Sequence, residues 1–101
     1  MPLQITVIAD PHTCLAFALG GIKTRPVRST EEAAAALAAA EKDGTTGLVL
    51  ITERLADSIR EQVDRLVLER TTPLLLEIPD RNGPLPGRKS TRERMISLMG
   101  T

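Results

Sequence analysis

The chain has 101 residues, with 13 Lys plus Arg against 13 Asp plus Glu, so its formal net charge is zero. That length suits one domain burying roughly 65% of its unfolded surface around a single core. The charge balance removes the long-range field that steers proteins to nucleic acid or anionic lipid.

The N-terminal stretch Met1 to Asp10 has neither the basic start nor the small-residue cleavage site of a secretion signal. The lone cysteine, Cys14, has no internal disulfide partner. Together they point to a reducing, cytoplasmic setting. Apolar runs such as Leu48 to Ile51 and Leu74 to Leu76 fall far below the roughly 20 residues that span a bilayer, so no direct membrane contact is expected. There is no Trp or Tyr, and Phe17 is the one Phe; the aromatic faces on which bases and sugars stack are missing.

In chain order, Leu3 to Ala9 is β-branched and apolar and stops at Asp10-Pro11, which reads as a buried strand. A helix over about Thr13 to Leu19 carries Leu15, Phe17 and Leu19 and closes at Gly20-Gly21. Lys23 to Arg28 is a weaker strand, and Pro26, which cannot donate to a ladder, puts it at a sheet edge. Ser29 with Glu32 three residues on forms a capping box that opens the helix Ala33 to Ala40, and Asp43-Gly44 closes it.

Gly47 to Thr52 and Pro73 to Ile78 repeat the pattern of short apolar run and stop. Their continuous leucines suggest strands covered on both faces by helices. Between them, one helix over about Glu53 to Glu69 aligns Leu55, Ile59, Val63, Leu66 and Val67 on a core stripe, with Arg60/Asp64 and Glu61/Arg65 paired four apart. The alternation predicts an α/β fold: a doubly wound, receiver-like parallel sheet of four strands in the order 2-1-3-4. Residues 1–79 make that domain. Residues 80–89, with Gly83, Pro84, Pro86 and Gly87, make a linker. Residues 90–101 hold a terminal helix over about Thr91 to Met99, with Met95, Ile96 and Met99 on one side.

Open α/β sheets bind ligands beyond the carboxyl ends of their strands. Those ends are poor in chemistry here: Asp10 to Cys14 after the first strand, Thr52 and Glu53 after the third, and Pro79 and Asp80 after the fourth. No glycine-rich phosphate cradle or Gly-Lys-Ser/Thr motif is present, and His12 with Cys14 supplies two of the three or four ligands that a metal needs. Asp10 before Pro11 is expected to cap the following helix, and Cys14 to be buried. No catalytic residue, cofactor or metal ligand is expected. The adaptable methionines Met95 and Met99 mark the terminal helix as a partner-facing surface.

Several blocks resemble the F-subunit family of V/A-type rotary ATPases. Leu3 to Ile22, with Asp10, Thr13, Phe17, Leu19 and Gly21, is similar to its opening. Leu50-Ile51-Thr52 with Ala56, Ile59 and Arg60 is similar to its third strand and following helix. The most specific block is Pro73-Leu74-Leu75-Leu76-Glu77-Ile78-Pro79 followed by Gly83-Pro84, and Ile96 to Gly100 is similar to the family's apolar close. The resemblance implies a non-catalytic central-stalk component that binds the coiled-coil rotor shaft, the D subunit. That shaft turns inside a ring of catalytic A and B subunits and joins neighbouring stalk subunits. It would place Met95, Ile96 and Met99 against the shaft, with Arg92 near acidic shaft positions.

Two other functions fit the β-α order less well. A phosphoacceptor receiver needs an acidic pair after its first strand and an Asp ending its third; here Asp10 stands alone and Thr52 ends the third. A phosphocarrier using Cys14 needs a source for a low thiol pKa, and no glycine nest lies beside this cysteine.

Overall fold

The computed structural model describes residues 3–69, 72–80 and 83. The chain alternates strand and helix: β1 Gln4–Ala9, α1 Pro11–Leu19, β2 Lys23–Pro26, α2 Thr30–Lys42, β3 Thr46–Thr52, α3 Glu53–Ser58, α4 Arg60–Glu69 and β4 Leu74–Ile78. The strands form one sheet in the order β2-β1-β3-β4, and every neighbouring pair is parallel. This is the doubly wound α/β sheet expected from the sequence.

Local chemistry explains most boundaries. The Asp10 side chain accepts the Thr13 N–H and so caps α1, while Pro11 occupies the first turn, where no N–H is needed. The helix starts two residues before the expected Thr13. It ends where the Gly21 N–H reaches the Ala18 carbonyl at 2.9 Å and Gly21 turns to φ 84°, a conformation glycine adopts at no steric cost. Strand β2 lies at the sheet edge and ends at Pro26, two residues short of the expected limit. At α2 the Ser29 hydroxyl accepts the Glu32 N–H at 3.1 Å. The reciprocal bond of the capping box shifts by one residue: the Glu32 carboxylate takes the Arg28 N–H at 2.8 Å.

The helix expected over Glu53 to Glu69 is two helices. The chain breaks at Ile59, with φ −128° and ψ 42°. Just before it, the Ser58 hydroxyl donates to the Leu55 carbonyl at 2.6 Å, a local bond that competes with helical pairing. The break still delivers Ile59, Val63 and Leu66 to the core, as the stripe required. Of the two expected ion pairs, Arg60–Asp64 forms at 3.4 Å, whereas Arg65 turns to Glu69 and Glu41.

Among the described residues, the two faces of the sheet are covered unequally. Helices α2, α3 and α4 bury one face, where Ile8, Leu37, Val49, Ile51, Val63, Leu66 and Leu75 form the main core. On the other face α1 packs over β1 and β2, and Val7, Ala9 and Cys14 form a small cluster with Phe17, Ile22 and Leu50. A nine-residue helix seated there is too narrow to cover β4 as well. Among the described residues, Leu74 and Leu76 therefore remain 65% and 43% exposed.

Candidate functional site

The carboxyl ends of the strands carry structure rather than reactive groups. At the end of β1 both oxygens of Asp10 are engaged, Oδ2 by the Thr13 N–H at 3.0 Å and Oδ1 by the Thr13 hydroxyl at 2.6 Å. A carboxylate thus already occupies the N-terminus of α1, the kind of position at which a helix can hold an anion. Cys14 is buried and donates its S–H to the Ala9 carbonyl at 3.4 Å. Burial pushes its thiol pKa up, partly offset by that backbone bond, the opposite of what an attacking thiolate needs. His12 is exposed. Thr52, at the end of β3, is buried and makes no side-chain cap to α3.

Among the described residues no group of three or more His, Cys, Asp or Glu is arranged to hold a metal ion. An open groove between β2 and α2 is lined by Arg25, Val27, Glu32, Ala36 and Ala39. Thr24 also lines it, and among the described residues no Cys, His, Ser or Asp does.

The most organised polar cluster joins the α3–α4 junction to β4. Arg60 clasps Glu77 with two bonds, Nη1 to Oε2 at 2.7 Å and Nη2 to Oε1 at 3.0 Å, and also reaches Asp57 at 2.6 Å. The Glu77 side chain is only 8% exposed. Its bonds, with those from Asp57 next, raise the pKa of the guanidinium further despite burial. Beyond it, Arg54 pairs with Asp80 at 3.2 Å. These pairs fix the exit of the chain from β4. The Glu of the Glu-Ile-Pro block is therefore a structural anchor.

The expected partner-binding residues Arg92, Met95, Ile96 and Met99 lie outside the described residues. So do the expected terminal helix and all of the linker except Asp80 and Gly83. What the sequence reading missed is that the described helices leave part of the second sheet face uncovered. Leu74 and Leu76 alternate with the buried Leu75, and a period of two was legible, but only the placement of α1 shows which alternate set stays bare.

Residues 5–96 match the family model of the ATP synthase (F/14-kDa) subunit. The chain belongs to this family. Among its relatives, the A-type ATP synthase F subunit of Methanosphaera stadtmanae is 33% identical over 82% of this chain and 78% of its own. That of Methanothermobacter thermautotrophicus is 32% identical over 83% of this chain and 79% of its own. The crystal structure of the V-type ATP synthase F subunit from Archaeoglobus fulgidus superposes with a TM-score of 0.65, covering 77% of this chain and 99% of that one. At 23% identity that last likeness speaks to the fold, a parallel α/β sheet shared within the F-subunit family. No described helix of this family member is long and apolar enough to cross a membrane.

Proposed function

We propose that this chain is a non-catalytic rotor component of a V/A-type ATPase. It binds the coiled-coil shaft, the D subunit, inside the ring of A and B subunits and alongside neighbouring stalk subunits. The ATP chemistry belongs to the ring, and the chain helps couple ATP turnover to ion transport as a soluble part peripheral to the membrane. The observation that carries this reading is the family match over residues 5–96, which spans both the sheet domain and most of the terminal segment. The Asp10 carboxylate at the start of α1 supports it, because it disfavours a nucleotide phosphate at the first strand-to-helix turn.

Shaft contact runs through residues 90–101, with Met95, Ile96 and Met99 against the coiled coil and Arg92 toward acidic shaft positions. The experiment is co-elution of the chain with the shaft protein of its own organism, followed by titration. Deleting residues 90–101 is expected to weaken binding at least about tenfold, roughly 1.4 kcal/mol. Equal affinity for the truncated chain sinks the anchor, and no co-elution of the full chain sinks the rotor reading.

A further inference from the structure

On the main-core side of the sheet the helix layer stops short of one edge. Helix α2 packs over β1 and β3, and α3 and α4 pack over β3 and β4. Strand β2 is outermost in the order β2-β1-β3-β4 and lies beyond them. The space beside α2 is an open groove of about 580 Å³, with Val27 and Ala36 at its base and Ala35 and Ala39 along the α2 wall.

A cation without a partner stands in this groove. Arg25 pairs in register with Ile8, a main-core residue, so its side chain leaves β2 on the same face, toward α2. The Arg25 Nε is shielded from water and has no hydrogen-bond partner, and among the described residues no ion pair engages its guanidinium. The nearby charges are occupied elsewhere. Lys23 pairs with Asp43 at 2.9 Å, and Glu32, which also lines the groove, takes the Arg28 N–H at 2.8 Å. A shielded charged donor left without an acceptor is costly, and a carboxylate matches the planar fork of a guanidinium best.

The edge of β2 is closed to another strand. The Val27 N–H donates to the Ala9 carbonyl at 2.9 Å, so Lys23, Arg25 and Val27 turn their backbone groups toward β1, and Thr24, Pro26 and Arg28 turn theirs outward. Pro26 has no N–H to offer, and that of Arg28 is already bound to Glu32. An occupant must therefore be read through side chains. The groove has the place of the next helix in the layer, and alanine walls let a helix approach at the short end of the usual interaxial range, about 8 Å.

We propose that this groove seats a helix of another subunit of the ATPase complex, with an Asp or Glu of that helix set against the Arg25 guanidinium and small or apolar residues against Ala35 and Ala39. The inference rests on the rotor reading for its partner, and it concerns a surface separate from residues 90–101.

The test assembles the native chain and Arg25→Lys with the co-expressed ATPase subunits of the same organism. A carbodiimide, which joins an amine to a carboxylate in contact with it, is then added and the products are mapped by mass spectrometry. The expected result is a link from position 25 to an Asp or Glu of another subunit. Arg25→Glu is expected to weaken incorporation at least about tenfold, and replacing the linked carboxylate by Lys to restore most of it. Ala35→Trp, at an exposed position on the groove wall, fills the groove and is expected to weaken incorporation likewise; it replaces Arg25→Glu if that variant does not fold. Links from position 25 only within its own chain, or only to a second copy, overturn the proposal. If the native chain does not enter the complex, the rotor reading and this inference fall together. If it enters and the folded variants enter equally well, this inference alone falls.

Discussion

Arg60 and Glu77, seventeen positions apart, meet in a two-bond clasp at 2.7 and 3.0 Å that ties the start of α4 to the end of β4. The carboxylate is nearly enclosed, its side chain 8% exposed, while the guanidinium keeps 23% exposure. Removing the cation leaves a shielded charge without its main partner, and that penalty exceeds the net worth of the pair.

Arg60→Ala is therefore expected to destabilise the domain by about 2–3 kcal/mol, less than a fully buried pair because water still reaches Arg60. Arg60→Lys recovers only part of this, since an ammonium cannot reproduce the planar two-bond fork. Urea unfolding of both variants checks the prediction. Equal loss in the two would mean that the fork contributes nothing beyond charge.

Asp43 gives the acid side of the stability profile. Bonds from Thr45, and then from the Lys23 ammonium at 2.9 Å, hold its carboxyl below the usual carboxylate range. A carboxyl whose folded pKa lies below its unfolded value stabilises above the unfolded pKa, about 3.9, and loses that contribution as pH falls toward the folded value. Asp43→Asn is expected to flatten the fall in stability below about pH 4. An unchanged slope in acid unfolding would assign the fall to other carboxylates.

The thiol of Cys14 is expected to resist modification. It is buried against Ala9, and burial raises its pKa, so alkylation of the native chain near neutral pH is expected to run at least about a hundredfold slower than in denaturant. Fast native labelling would restore the phosphocarrier reading, which needs an exposed, acidic thiol.

Neighbouring residues of β3 should separate the two faces. Ile51 is fully buried in the main core, whereas Leu50 is half-buried beside α1. Ile51→Ala is expected to cost about 2–5 kcal/mol and Leu50→Ala about 1–2 kcal/mol. Thermal unfolding that ranked them the other way would reverse the assignment of main core and minor face.

The sequence alone determined the element order, the sheet order β2-β1-β3-β4, the Asp10 and Ser29 caps and the burial of Cys14, because each follows from local spacing or chain handedness. Local signals were weaker where a nearby bond overrode periodicity. The Ser58 hydroxyl on the Leu55 carbonyl splits a run that reads as one helix. Only the tertiary structure decided that Glu77, in a block that reads as a motif, is the partner of Arg60, since a contact across seventeen positions leaves no trace in spacing. It alone decided that, among the described residues, Leu74 and Leu76 are left exposed while Leu75 is buried. The period of two tells which leucines share a face, but whether that face is covered depends on how far α1 extends across the sheet, a property of packing between elements that no single strand encodes.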